Sequence, residues 1–264
     1  MITYSQTPSG GLGNRLFQLN FIGQLANLLE TDFSFYSPND STYFHDVSSS
    51  KLLRLQSYFF KKIKLSEETQ LDMASIKSYF QKRTHLENFS ISGSYLGETF
   101  FTCSAKDPRE IVRHKFGQIN GLDQIACHFR GGDFLSWNPK SILKIDYYQR
   151  AIDYIDTQVG EALPIKLITD DLGLESVQKI AKVHRDRVEL ISNQNPIEDL
   201  KTLMACNYLV SSPSTFAIWA GILSDKKEII HSAEWVEERA SLNDKFWEGL
   251  KSGGNSYYKA SRLI

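Results

Sequence analysis

QIACHFR (Gln124–Arg130), IKLIT (Ile165–Thr169), RVELI (Arg187–Ile191), YLVS (Tyr208–Ser211) and EIIH (Glu228–His231) are apolar runs of strand length that recur through the second half of the chain. Between them stand stretches of helical period. These are Asp146 to Thr157, with Tyr147, Ala151, Tyr154 and Ile155 on one face, then Leu174 to Val183, Ile197 to Cys206 and Thr215 to Leu223. Strands that alternate with helices predict a parallel sheet covered on both faces, because a parallel neighbour needs a crossover that carries the chain back to the same edge. One such domain is read from Phe116 to about Leu250, dividing the chain into units 1–115 and 116–264.

The first half opens in the same manner. A short strand leads through Gly10-Gly11-Leu12-Gly13 into a helix carrying Leu16, Phe17, Phe21, Leu25, Leu28 and Leu29. Phe33 to Tyr36 and Asn88 to Ser92 add strands, while the Lys- and Glu-rich stretch from Leu52 to Gln81 reads as amphipathic surface helices. With no long Gly/Ser linker between them, the two α/β units are expected to pack around a cleft.

Composition narrows the classes. Lys and Arg number 30 against 31 Asp and Glu, so no overall field favours nucleic acid, and a bound anion must meet a local site. Cys103, Cys127 and Cys206 are odd in number and lack a Cys-x-x-Cys pair, against both a disulfide framework and a zinc site. No basic region precedes an apolar stretch at Met1 to Ser5, and no transmembrane run of about 18 apolar residues occurs. The expected setting is the bacterial cytoplasm, with a peripheral membrane contact left open.

In open parallel sheets, ligands bind beyond the carboxyl ends of the strands, where loops and helix N-termini present free N–H groups. The unusual residues fall there: His128-Phe129-Arg130-Gly131-Gly132-Asp133, Thr169-Asp170-Asp171, and Ser211-Ser212-Pro213-Ser214-Thr215-Phe216. Arg130 offers a planar fork of donors suited to a diphosphate, and Gly131 and Gly132 are read as permitting close backbone approach to it. The alternative for Arg130 is a salt bridge with a nearby Asp. His128, two residues earlier, shares a strand face with Arg130; taken alone it reads as a hydrogen-bonded structural histidine, and as a functional group it is read as orienting the ligand ahead of moving protons. Ser214 and Thr215 have the form of a helix start, which capping alone would explain. Asp133 is a candidate base or organiser, its alternative being to anchor the Gly131-Gly132 turn through backbone N–H groups. Without an Asp-x-Asp or a His pair at helical spacing, no metal and no cofactor are expected.

Four blocks together resemble the α-1,2-fucosyltransferase family, glycosyltransferase family 11 of the fucosyltransferase superfamily: GGLGNRLFQ (Gly10–Gln18), HFRGGDF (His128–Phe134), LITDD (Leu167–Asp171) and SSPSTFAIWAG (Ser211–Gly221). The resemblance implies two Rossmann-like domains facing a cleft, the GT-B type glycosyltransferase architecture. Residues 1–115 would form an acceptor-side domain, and residues 116–264 the nucleotide-sugar-binding domain. It further implies that Arg130 binds the diphosphate and His128 lies against the donor. Ser214, Thr215 and Phe216 would line phosphate and sugar, and Asp199 would read the guanine edge. Gly11, Gly13 and Asn14 would approach the donor sugar. The implied reaction is metal-independent, inverting transfer of L-fucose from GDP-β-L-fucose to a hydroxyl, galactose O-2, of an oligosaccharide or glycoconjugate acceptor. The sequence departs from the family where Arg-Arg-Gly-Asp is common: here Gly131 follows Arg130, and Arg15 and Lys140 are candidate substitutes for the missing cation. Rival readings are a transferase for another GDP-sugar or linkage, and a nucleotide-sugar-binding protein without catalysis. Trp137, within the acceptor-loop candidate Phe134 to Lys144, offers a face for sugar stacking.

Overall fold

The computed structural model describes residues 2–4, 11–35, 47–48, 61–64, 78, 89–92, 107–112, 116–117, 119–192, 195–241 and 261–264. Two compact units divide the chain, Met1–Lys115 and Phe116–Ile264.

In the first unit, β1 (Ile2–Tyr4), β2 (Phe33–Phe35), β3 (Val47–Ser48), β4 (Lys61–Lys64) and β5 (Phe89–Ser92) form a sheet of order β3-β2-β1-β5-β4. All neighbours run parallel except β2 and β3. Helix α1 (Leu12–Leu28) makes the crossover from β1 to β2. It has no polar face: Leu16, Phe17, Phe21 and Leu25 are buried, and so are Gln18, Asn20 and Gln24. Gln24 Nε2 donates to Asn20 Oδ1 at 3.5 Å, one turn away. A second helix, α2, spans Pro108–Val112.

The expectation of surface helices from Leu52 to Gln81 is corrected at Lys61–Lys64, which is a strand. It pairs in parallel with β5, Lys61 opposite Phe89 and Lys64 opposite Ser92, at the outer edge of the sheet. A lysine-rich strand suits an edge, where charge blocks further strand pairing, and that role hides its period from a hydrophobicity reading. Most of the remaining stretch lies outside the described residues, as do Gly10, Cys103 and Gly93 to Phe101.

The second unit is regular. Its strands are β6 (Leu122–Phe129), β7 (Ile165–Thr169), β8 (Val188–Ser192), β9 (Cys206–Val210), β10 (Glu228–His231) and β11 (Ser261–Leu263). Its helices are α3 (Phe134–Trp137), α4 (Ile145–Val159), α5 (Glu175–Val183), α6 (Pro196–Ala205), α7 (Thr215–Ile222) and α8 (Ala233–Ser241), and a 3-10 turn spans Pro139–Ser141. Every neighbour is parallel and the order is β11-β10-β9-β6-β7-β8. The chain therefore starts at the centre, builds outward through β7 and β8, returns to the other side of β6 and builds outward again. This is the doubly wound nucleotide-binding order, whose reversal falls between β6 and β9.

Alternation along β6 divides its side chains between two layers. Ile125, Cys127 and Phe129 join Tyr148, Ala151, Ile152 and Ile155 of α4 in the main apolar cluster. Full burial of each large aliphatic or aromatic side chain there contributes roughly 1.5–3 kcal/mol. His128 points the other way and meets Phe216 of α7, ring centroids 5.4 Å apart. Cys127 and Cys206 are free, buried thiols, and burial raises both above the usual thiol range. Among the described residues, no helix is long and apolar enough to cross a membrane.

Candidate active site

The reversal between β6 and β9 opens their carboxyl ends, and the residues there are joined across the gap. His128 Nδ1 lies 2.6 Å from Ser212 Oγ, so the ends of β6 and the segment after β9 are tied at the reversal. Burial, helped by the nearby Arg130 charge, pulls His128 down to about 3. Burial thus disfavours the protonated ring, and the contact with Ser212 fixes the imidazole at the sheet reversal. Two tyrosines of α4 brace the same edge from below. Tyr148 Oη donates to the His128 carbonyl at 3.1 Å, and Tyr147 Oη shares its one proton between the carbonyls of Ser211 at 2.8 Å and Ile230 at 2.9 Å.

Directly after Val210 the chain turns through Ser211–Ser214 into α7. Ser214 is the N-cap: its hydroxyl accepts from the Phe216 N–H at 3.2 Å. The first turn of α7 therefore carries the half-buried Thr215 and Phe216, with the Phe216 ring beside His128. Helix α6 begins at the same carboxyl edge, since it follows the end of β8 and leads back to the start of β9. Asn195 caps it, accepting from the Ile197 N–H at 2.9 Å, and Asp199 sits in its first turn. Asp199 Oδ1 is buried without a hydrogen-bond partner among the described residues, and burial, with Glu198 adjacent, raises the carboxyl above the usual range. A desolvated, unpartnered carboxylate oxygen is costly unless a donor comes to it.

Arg130 follows β6 and is held on three sides. Nη1 donates to Asp170 Oδ2 at 2.5 Å, Nη2 to Asp133 Oδ1 at 2.5 Å, and the guanidinium carbon lies 5.3 Å from the centre of the Phe134 ring. One cation here faces two carboxylates, a local excess of negative charge, so what the arrangement offers a ligand is directed N–H donors and not net positive charge.

At this turn the glycines have a reason within the chain itself, and the reading of Asp133 as the turn's anchor is corrected. A Cβ on Gly131 would lie 2.9 Å from both Asp171 Cβ and Leu174 Cδ1; one on Gly132, at φ +35°, would lie 2.7 Å from Asp170 Oδ2. The glycines thus admit the chain's own Asp170, Asp171 and Leu174, which is reason enough for them without a ligand. Nor does Asp133 anchor the turn, for it makes no side-chain cap bond. Asp170 does so, its Oδ1 accepting from the Gly131 N–H at 2.8 Å. Strand-end position marked Asp170 as a candidate neighbour, but only the pairing of β7 with β6 identifies its partner. Tyr147 and Tyr148 carry no site signal in the sequence and Ser212 only its place in the strand-end block, because their polar tips serve backbone or imidazole partners distant in sequence.

In the first unit, Gly11 is the N-cap of α1, exposed, with an ordinary φ of −70° and nothing within 4 Å of an added Cβ. Gly13 is buried and Asn14 half-buried in the first turn. Of the candidate replacement cations, Arg15 is half-buried in α1, and Lys140 is exposed on the Pro139–Ser141 turn. Phe134–Trp137 is helical rather than loop, and the Trp137 side chain lies outside the described residues.

Comparison with known proteins places this geometry in context. The profile of Glycosyl transferase family 11 matches residues 12–246. The mouse (Mus musculus) protein galactoside 2-alpha-L-fucosyltransferase Sec1 is 24% identical over 139 residues, a match covering 49% of this chain and 37% of that protein. The aligned part thus spans less than half of this relative. Among solved structures, POFUT1 in complex with GDP-fucose superposes with a TM-score of 0.51 at 11% identity, covering 86% of this chain and 95% of the other. That likeness shows the fold: an α/β protein of GT-B glycosyltransferase type.

Proposed function

This chain belongs to glycosyl transferase family 11, and from that premise we propose that it is an inverting, metal-independent fucosyltransferase. The donor is GDP-β-L-fucose and the acceptor group is a hydroxyl, galactose O-2, of an oligosaccharide or glycoconjugate. The acceptor oxygen bonds to the anomeric carbon from the face opposite the diphosphate. The bond from that carbon to the β-phosphate oxygen breaks, its electron pair leaves with GDP, and the acceptor proton passes to solvent. The sugar and linkage follow the name of the mouse relative, a galactoside 2-alpha-L-fucosyltransferase.

The observation that carries the reading is the gathering of Arg130, neutral His128 and the Ser214-capped start of α7 at the β6/β9 reversal, where doubly wound sheets receive nucleotides. In this reading the Arg130 fork and the N-terminus of α7 take the diphosphate as charge develops on the leaving group. Ser214, Thr215 and Phe216 line phosphate and sugar, and His128 orients the donor. Asp199 receives donors from the guanine edge at its unpartnered oxygen. Asp133 organises Arg130 rather than taking the acceptor proton, since its carboxylate is committed to that guanidinium.

The test is direct. Purified protein incubated with GDP-fucose and a galactoside is expected to give an α-1,2-fucosylated product by mass and linkage analysis, with rate and GDP affinity unchanged by EDTA. A product formed only from another GDP-sugar would replace the donor. GDP binding with no turnover would support a binding protein, and loss of binding on chelation would end the metal-free mechanism.

A further inference from the structure

We infer that Asp170 is the positioning residue for Arg130: it fixes the plane of the guanidinium that the diphosphate meets. This rests on the reading of Arg130 as the phosphate ligand, and it assigns a role to a side chain that the reading itself leaves without one.

The two carboxylates on Arg130 are not equivalent. Asp133 is 66% exposed. Its Oδ1 binds Nη2, and it gives its own helix no side-chain cap. Asp170 is 32% exposed and uses both oxygens. Oδ1 accepts from the Gly131 N–H at 2.8 Å while Oδ2 accepts from Arg130 Nη1 at 2.5 Å. Its carboxylate is therefore referenced to the backbone of the very turn that follows Arg130. It also starts from a rigid place, one residue beyond β7, whose last residue Thr169 pairs with Phe129 at the end of β6.

The glycines confirm that the carboxylate is built in. Gly132 has φ +35°, a conformation L side chains rarely adopt, and its missing Cβ leaves the space that Asp170 Oδ2 occupies 2.7 Å away. Removing either glycine would push on the Asp170–Leu174 segment, so the turn and the carboxylate form one unit. A guanidinium on a long side chain loses rotamer freedom when it binds. Holding its plane beforehand lets both prongs meet phosphate oxygens together, and misplacement by about an ångström can cost up to about a hundredfold in rate.

A double-mutant cycle tests this. Asn at 170 keeps the shape but has a single acceptor oxygen, so it can serve the Gly131 N–H or Arg130, and its amide N–H₂ opposes the other. In Asp170→Asn, turnover is expected to fall about tenfold or more, with donor KM changed less and thermal midpoint close to wild type. In an Arg130→Ala background the same substitution should cost less than about twofold further, because its effect passes through the guanidinium. Equal losses in both backgrounds, or near-native turnover in Asp170→Asn, would overturn the inference alone. Near-native GDP affinity and turnover in Arg130→Ala would instead remove the phosphate-ligand reading, and this role with it. Should Asp170→Asn fail to fold, Asp170→Glu, which keeps the charge but adds a methylene, carries the same cycle with the same expected coupling.

Discussion

Three glycines in Gly-rich turns differ in what requires them. Gly132 is required by its φ of +35° and by Asp170, Gly131 by the side chains of Asp171 and Leu174, and Gly11 by nothing within 4 Å. The sequence reads Gly131 and Gly132 as openings for a ligand, and Gly11 reaches the donor only through the family resemblance. The distinction bears on the departure from the family pattern at position 131, where a second arginine is common. In this chain an arginine there would drive its Cβ to 2.9 Å from Leu174 Cδ1, and Leu174 belongs to the main apolar cluster. Gly131→Arg is therefore expected to destabilise the protein by about 1–3 kcal/mol, as overpacking does, and to lower turnover by shifting Asp170 and hence Arg130. Denaturant unfolding and a transfer assay decide it. A variant with native stability and faster transfer would mean that the Asp171–Leu174 segment yields freely and that the family's second cation has simply been lost.

Helix α7 is the element that brings packing and site together. Ala217 to Ile222 are buried, Trp219 completely, so its axis is set by the core while its first turn carries Ser214, Thr215 and Phe216 to the β6/β9 reversal. The cap bond from the Phe216 N–H to Ser214 Oγ at 3.2 Å accounts for about 1 kcal/mol of stability at most positions of this kind. If these residues also meet a diphosphate, charge-assisted bonds are lost as well, typically about 1.5–3 kcal/mol each. Ser214→Ala and Thr215→Ala are thus expected to weaken GDP binding about tenfold or more by calorimetry while lowering stability by only about 1 kcal/mol. Losses confined to stability would return this helix start to a purely capping role. Elements such as α7 were legible in advance. Strand β7, Ile165–Thr169, and strand β10, Glu228–His231, lie where the apolar runs placed them, and helices α4 to α7 differ from the periodicity by a residue or two at their ends. Buried parallel strands and amphipathic helices write their environment into local sequence. What stayed hidden was pairing. Which strand lies beside β6 decides that Asp170 meets Arg130 and that Ser212 meets His128, separations of 40 and 84 residues that no local pattern records. The lysine-rich edge strand β4 carries no apolar run of strand length for a hydrophobicity reading to find.

At the scale of the whole molecule, the second unit carries two fully buried imidazoles and a half-buried one, His184, which burial also lowers, and they make stability respond to acid. His128 ends up at 6% exposure and His231, at the carboxyl end of β10, at 3%. Burial pulls His231 down to about 4, and burial with the Arg130 charge pulls His128 down to about 3. In the unfolded chain both return to about 6.5. Between those values the unfolded state holds protons that the folded state refuses, so unfolding becomes easier as pH falls. The stability present above pH 6.5 is lost progressively down to about 4 for one group and about 3 for the other. Asp199 acts in the other direction, because a carboxyl raised by burial binds its proton more readily when folded, but that group titrates from a lower starting point. The histidine slope is therefore read between pH 7 and pH 5. Over that range the protein is expected to lose on the order of a few kcal/mol, seen as a falling thermal midpoint. His231→Gln should flatten part of the slope while leaving transfer activity at pH 7.5 close to native, whereas His128→Asn should flatten another part and lower activity as well. A thermal midpoint independent of pH from 7 to 5 in the wild-type protein would show that these rings accept protons in the folded state, and with that the assignment of His128 as a permanently neutral, orienting group at the sheet reversal would fall.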